Sequence, residues 1–236
     1  HSTALFLDID GTLLDLARTP DRVKVPGELA RSLEKLNNEL SGAVAFVSGR
    51  SLASVDKLFA PFKPAAIGAH GGEIRSVGGE VTRAPPIADC VREIFVGLAD
   101  HVPGLLLEDK ICALALHFRL APEAEPVLKA AMEKHAKLFE TEKVQILYGK
   151  AVIDARPIGI DKGTAVIKLA KQKPFAGRNV LFGGDDTTDL DVFRILPKLG
   201  GRGFSVGRRF PGAEYVFENP RSVRQWLARM AEAGVR

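Results

Sequence analysis

FLDIDGTLLD, residues 6–15, decides the fold: an apolar run from residue 4 to residue 7 ends in Asp8 and Asp10, and Gly11-Thr12 turns the chain directly afterwards. Four consecutive apolar residues before a turn signal suit a strand buried on both faces, the kind found in parallel sheets covered by helices. In such sheets, loops and helix N-termini converge at the carboxyl ends of the strands, where ligands collect. Outward from this point the pattern repeats. Helical spacing over 28–40 and 52–59 alternates with apolar runs at 43–47 and 65–68, and the order returns late in the chain: helix 162–171, strand 179–182, helix 190–196 and a last helix 222–230. Between them lies a different rhythm. After the turn-rich GGEVTRAPP (78–86) come helix 87–101, strands 105–108 and 111–119, helix 123–138, and strands 144–147 and 151–156. Cys112, Leu114, Leu116 and Phe118 share one parity and His117 and Arg119 the other, as in a strand with one buried face. Helix, strand, strand, twice over, predicts a small α+β unit with an antiparallel sheet. The expected architecture is therefore α/β: a parallel-sheet core from 1–83 and 157–236, interrupted by an α+β insertion at 84–156.

The 236 residues are enough for two modest lobes with cores of their own. Hydrophobic residues at 46% beside 26% charged ones exclude a disordered or fibrous chain. The net charge of +4 comes from scattered basic residues, which favours a small anionic substrate over nucleic acid. Two cysteines, Cys90 and Cys112, make neither a disulfide framework nor a four-ligand zinc site. Without an apolar stretch near 18 residues or a basic-then-apolar leader, a cytoplasmic protein without membrane contact is expected, and a monomer.

Three groups of polar residues fall at strand ends: Asp8-Ile9-Asp10-Gly11-Thr12, Ser48-Gly49-Arg50 after AVAFV, and Gly184-Asp185-Asp186-Thr187-Thr188-Asp189 after NVLFG. A chance Asp-x-Asp-Gly-Thr arises in about one chain in 400 of this length at average composition. Its pairing with GDDTTD, again after a strand, makes a purely structural use of these acids improbable. Carboxylates from two strand ends form a hard oxygen site that suits Mg²⁺. A serine hydroxyl, backbone amides and an arginine would hold phosphate oxygens. Lys162, in Gly159-Ile160-Asp161-Lys162-Gly163, stands at a strand-to-helix junction where it can neutralise the remaining charge. Taken singly, Ser48-Gly49-Arg50 reads as an ordinary turn, Lys162 as a solvated lysine and His117 as a strand residue at the surface.

In order, DIDGT, SGR, the GIDKG lysine and GDDTTD resemble the signature motifs of haloacid-dehalogenase-type (HAD) phosphohydrolases, over residues 4–189. GAHGGEI (68–74), LEDKICALALHFR (107–119), GKAVIDARPIGIDKG (149–163), GGDDTTDLDVF (183–193) and the tail SVGRRFPGAEYVFENPRSVRQWL resemble the trehalose-6-phosphate phosphatases within that superfamily. The resemblance implies a HAD-like Rossmannoid core with the inserted unit as a cap, or substrate lid. It implies Asp8 as the nucleophile, forming an aspartyl-phosphate, and Asp10 as the acid and base for the leaving group and the water. Mg²⁺ would be held by the Asp8 carboxylate, the Asp10 carbonyl and Asp185, with Asp186 and Asp189 orienting water on the metal. Ser48, Gly49, Arg50 and Lys162 would serve the phosphate. Glu108, Lys110 and Asp154, in the insertion, match sugar-contacting positions. Two positions depart from the family: Asp154 stands where a glutamate is usual, and Leu190 where an acid often follows the GDDxTD block.

The expected reaction is Mg²⁺-dependent hydrolysis of trehalose 6-phosphate to trehalose and phosphate. The alternatives are a phosphatase for another sugar phosphate, such as sucrose phosphate or glucosyl- or mannosyl-phosphoglycerate, a catalytically silent sugar-phosphate sensor, and a phosphomutase. Only the segments of the insertion separate the first alternative from the leading reading. Intact Asp8, Asp10, Lys162 and Asp185 speak against a sensor, which needs no nucleophile.

Overall fold

The computed structural model describes residues 2–17 and 23–234. The chain divides into two compact units, one within His1–Thr82 and Asp161–Arg236, the other Arg83–Ile160. Along the first part run β1 (Thr3–Leu7), α1 (Gly27–Glu39), β2 (Val44–Val47), α2 (Leu52–Phe59), β3 (Ala65–Gly68), β4 (Glu73–Arg75) and β5 (Val81–Arg83). The second unit holds α3 (Asp89–His101), β6 (Leu106–Asp109), β7 (Leu114–His117), α4 (Glu125–Lys134), α5 (Ala136–Thr141), β8 (Val144–Gly149) and β9 (Val152–Pro157). The chain then completes the first unit with α6 (Lys162–Ala170), β10 (Asn179–Gly184), α7 (Leu190–Phe193), β11 (Arg202–Val206), β12 (Tyr215–Phe217) and α8 (Pro220–Ala233).

The larger sheet has the order β12-β11-β10-β1-β2-β3-β4-β5. Neighbours from β12 to β3 are parallel, and β4 runs antiparallel to β3. All residues of β2 and β3 are buried, so both faces of the sheet centre are covered, which is why these strands read as unbroken apolar runs. Helix α1 packs against α8, and α6 against α7. Aromatic pairs tie the helical side to the strands: Phe6 meets Phe175 and Phe182 meets Phe193, each with ring centres 5.1 Å apart. The register sets Leu7 beside both Phe46 and Gly183. One step further along all three strands, the chain therefore delivers Asp8, Val47 and Gly184 to the same rim.

The second unit is an antiparallel sheet in the order β6-β7-β9-β8 with a core of its own. Leu114, Leu116, Ile153 and Ala155 pack with Val91 and Phe95 of α3, Leu128 and Met132 of α4, and Phe139 of α5. The opposite parity carries His117 on β7 and Asp154 and Arg156 on β9, but Ala113 and Ala115 on that parity are buried as well, so β7 is covered on both faces where the alternation over 112–119 predicts one. Strand β9 extends to Pro157, and the Ile158 amide still donates to the Lys143 carbonyl, which keeps the chain in this unit up to Ile160.

Four short strands were not expected. β5 lies inside the turn-rich stretch 78–86, β4 has three residues, β11 includes Gly203 and Ser205 among its five residues, and β12 has three residues. The helix expected at 190–196 ends at Phe193 and gives way to a 3₁₀ turn, Leu196–Leu199. Pro197 explains this, because its ring clashes with the carbonyl four residues back and it has no N–H to continue the ladder. The helix expected at 123–138 begins at Glu125 after a 3₁₀ turn and breaks at His135, so Phe139 comes from a second helix, α5.

Candidate active site

Asp8 follows β1 directly, and its amide donates to the Gly183 carbonyl at 2.9 Å, which locks its position to the end of β10. Lys162 is the first residue of α6. Asp161 caps that helix by accepting from the Thr164 amide at 2.7 Å, and the cap fixes where Lys162 starts. The Lys162 Nζ donates to Asp8 Oδ1 at 2.8 Å and to Asp189 Oδ1 at 2.6 Å. All three groups are buried. Burial works against the Lys162 charge, but Asp189 and Asp8 outweigh it and push its pKa up.

Asp189 spends its other oxygen on the backbone: Oδ2 accepts from the amides of Asp185 and Asp186 at 2.8 and 3.0 Å. This shapes the GDDTTD turn and presents Asp185 toward Asp8. The carboxylates of Asp8, Asp185 and Asp189 offer oxygen atoms within 4.8 Å of one another. Their crowding has an electrostatic cost. Burial raises the Asp8 pKa well above the usual carboxylate range, and Asp189 and Asp185 raise it further while Lys162 opposes them. Asp185 is pushed up to about 7, first by burial and then by Asp189, with Lys162 and a 3.3 Å hydrogen bond from the Thr12 hydroxyl working the other way. A divalent cation is the natural remedy for this much confined negative charge. The donor set fits Mg²⁺: Asp8 and Asp185 have oxygens to offer, whereas both Asp189 oxygens are already committed. Asp186 turns its carboxylate to the Thr187 amide at 2.7 Å. Gly11 makes the approach possible. Its φ of +84° is left-handed, and a Cβ there would stand 2.0 Å from Asp185 Oδ2.

Asp10 is held differently. Arg50 Nε donates to Asp10 Oδ2 at 2.6 Å and Nη2 to Oδ1 at 2.7 Å, a two-pronged pair across 40 positions of sequence. The Arg50 amide donates to the Ser48 hydroxyl at 3.1 Å, and the Ser48 amide to the Ile67 carbonyl at 2.8 Å. The guanidinium that was expected beside phosphate is thus engaged with Asp10.

The residues of the second unit form a separate group. The register Glu108↔Ala115↔Asp154 puts Glu108 and Asp154 on one face, two strand spacings or about 9.5 Å apart. Glu108 Oε2 lies 3.5 Å from Lys110 Nζ and 3.3 Å from His117 Nε2. Arg156, two residues beyond Asp154, shares this face and is buried. Thr12, Arg156, His70 and Glu73 are polar residues of these regions whose part the sequence reading missed. The threonine of DIDGT and the parity of Asp154 and Arg156 were the available signals.

The trehalose-phosphatase family model matches residues 6–212. A Sinorhizobium fredii protein named probable trehalose-phosphate phosphatase is 44% identical over 220 residues, covering 92% of this chain and 82% of its own. The trehalose-6-phosphate phosphatase of Escherichia coli is 34% identical over 234 residues, covering 98% and 87%. Among solved structures, the C-terminal domain of the C. albicans trehalose-6-phosphate phosphatase superposes with a TM-score of 0.86 at 25% identity, covering 98% of this chain and 92% of that one. The two-unit α/β architecture, the strand-end acids and these matches agree, and the chain belongs to the trehalose-phosphatase family.

Proposed function

We propose that this protein hydrolyses trehalose 6-phosphate to trehalose and inorganic phosphate through an aspartyl-phosphate on Asp8, with Mg²⁺ as cofactor. The observation that carries this reading is the buried Asp8 carboxylate, tethered by one oxygen to Lys162 and flanked by Asp185. The second Asp8 oxygen is the one available to attack phosphorus, while the Lys162 ammonium neutralises charge that develops on the transferred group. The Ser48 hydroxyl and the Gly49 amide hold phosphate oxygens. Asp10 gives a proton to the departing sugar oxygen and later takes one from the attacking water. Since Arg50 occupies both Asp10 oxygens, at least one of these hydrogen bonds opens when the proton moves. When bound by Asp8, Asp185 and the Asp10 carbonyl, Mg²⁺ supplies charge neutralisation that lets an anionic nucleophile meet an anionic phosphate. Asp186 and Asp189 hold the loop that presents Asp185. The free thiols of Cys90 and Cys112 suit the reducing cytoplasm. Among the described residues no helix is long and apolar enough to cross a membrane, and the reading takes the protein as a monomer.

The decisive experiment is phosphate release from a panel of disaccharide and monosaccharide phosphates with and without Mg²⁺. Metal-dependent release fastest from trehalose 6-phosphate is expected. No release from any member, or equal rates on simple hexose phosphates, overturns the reading.

Glu108, Lys110 and Asp154 are assigned to the sugar hydroxyls, since charged side chains on one sheet face match the many donors and acceptors of a disaccharide. Glu108→Ala and Lys110→Ala are each expected to lower kcat/KM on trehalose 6-phosphate roughly 10- to 100-fold, the worth of a hydrogen bond to a charged group. On a small aryl phosphate the loss is expected to stay within about threefold, because no sugar is there to be contacted. Equal losses on both substrates would refute a sugar-reading role.

Mg²⁺ is also expected to stabilise the fold. At a hundredfold excess over Kd the gain is about 2.7 kcal/mol, or roughly 5–11 °C in Tm for a chain of this size. Its pH dependence follows from Asp185, whose pKa rises from 3.8 to about 7 on folding. An acid with a raised folded pKa costs stability as the pH climbs between those values, so the Mg²⁺ gain grows across that window. A thermal melt series with Mg²⁺ and with chelator checks this, and an unchanged Tm at neutral pH counts against the site.

A further inference from the structure

The segment Ala69-His70-Gly71, a 3₁₀ turn directly after β3, has an unusual backbone. Ala69 and His70 take left-handed φ values of 47° and 55°, and Gly71 has φ 105°. Two successive left-handed residues other than glycine carry strain of order 1–3 kcal/mol each, and they persist only where neighbours over-determine them. Here the neighbours are the Ser48-Gly49-Arg50 loop and the turn that starts α6. The Ala69 amide donates to the Arg50 carbonyl at 2.7 Å and the His70 amide to the Ser48 carbonyl at 3.2 Å. The buried His70 ring presses on Gly49: a Cβ on that glycine would stand 2.5 Å from the ring Cε1 and 2.6 Å from Nε2. On the other side, a Cβ on Gly71 would stand 2.3 Å from the carbonyl of Asp161, the residue that caps the helix beginning with Lys162. Glu73 anchors the far end, accepting from the Leu52 amide at the start of α2 at 2.7 Å.

We propose that His70 is a positioning residue. Its ring sets the height of the Gly49 amide, and the turn it belongs to spaces the Ser48-Gly49 loop from Lys162, so that both address one phosphoryl group. A histidine that merely filled core space would need neither the strained backbone nor a contact with the one loop residue lacking a side chain. The inference rests on the phosphatase reading of that loop, whatever sugar the phosphate is carried on.

The test is a double-mutant cycle of Gly49→Ala and His70→Gly. Glycine accepts the left-handed backbone, so His70→Gly removes the ring without adding strain; His70→Asn, also tolerant of that backbone, removes the ring while keeping a side chain and so separates loss of the ring from loosening of the turn. Each single change is expected to lower kcat/KM about 10- to 100-fold on trehalose 6-phosphate and on a small aryl phosphate alike, with kcat falling more than KM rises, as for a misplaced reacting group. In the double variant the new methyl occupies the space of the ring, so adding Gly49→Ala to His70→Gly is expected to cost no more than about twofold further. Losses that multiply, or a fall in Tm with kcat unchanged, overturn the proposal. Wild-type protein that turns over the aryl phosphate but not trehalose 6-phosphate refutes the substrate assignment and leaves this cycle in force. The same cycle read in Kd for inorganic phosphate needs no turnover at all, and additive effects there count equally against His70.

Discussion

Asp8→Asn is expected to end turnover, by about 10⁴-fold or more, and at the same time to raise the melting temperature of the metal-free protein. The two effects have one cause. Asp8 is 4% exposed, and its burial is the main reason its carboxyl resists ionisation, with Asp189 and Asp185 adding to the effect. Asparagine has almost the same shape and still offers an oxygen to the Lys162 ammonium, which sits 2.8 Å from Oδ1. The substitution thus removes a confined charge while keeping its hydrogen bond. What it loses is the anionic oxygen that attacks phosphorus. In Mg²⁺ the order reverses, since the variant also lacks one of the metal's ligands and gains less from the ion. Steady-state phosphate release and thermal melts in chelator and in Mg²⁺ measure all three effects. Activity within tenfold of wild type would remove Asp8 from the nucleophile's place, and a lowered Tm in chelator would show that its charge is compensated better than the geometry indicates.

The parts of this site that could be read from sequence are those whose signal is local. β1, β2, β3 and β10 are continuous apolar runs because both faces are buried, and each acid of interest follows its strand within a few positions. The outer strands escaped notice because burial no longer patterns them: β12 has three residues, and β11 carries Gly203 and Ser205, chosen for close packing and not for β propensity. Within the site, the pairing of Arg50 with Asp10 spans 40 positions, and that of Lys162 with Asp8 spans 154. No spacing rule reaches so far. GDDTTD announced a cluster of acids but not its division of labour, because the difference between Asp185 and Asp189 lies in which backbone amides the second one accepts from. His70 was hidden for a similar reason. A histidine in Gly68-Ala69-His70-Gly71-Gly72 carries no local sign of its neighbours, and it is the fold that brings its ring against Gly49 and its amide to the Ser48 carbonyl.

Lys162→Met is expected to damage both the fold and the chemistry. The lysine is 3% exposed and its ammonium lies within hydrogen-bond reach of both Asp8 and Asp189. Its raised pKa means that its ion pairs stabilise the fold fully below the unfolded lysine value of 10.5 and lose that effect only as the pH passes the still higher folded value. At neutral pH the whole contribution is therefore in place. Methionine matches the length of the stem but leaves two buried carboxylates facing each other, a loss of about 3–5 kcal/mol, or roughly 6–20 °C in Tm. The cheapest escape is for Asp8 to take up a proton, which would also silence the nucleophile, so kcat is expected to fall about 10³-fold or more. Arginine should not rescue either property, because a planar guanidinium cannot replace a compact ammonium held between two carboxylates in a closed site. Adding Asp8→Asn to Lys162→Met should recover part of the melting temperature and none of the activity, since it removes one of the stranded charges. Mg²⁺ should likewise raise the Tm of the single variant by lying against Asp8 and Asp185. A Lys162→Met protein that melts within about 2 °C of wild type would show that water already reaches these acids and screens them. The charge balance that links fold and chemistry at this site would then be wrong.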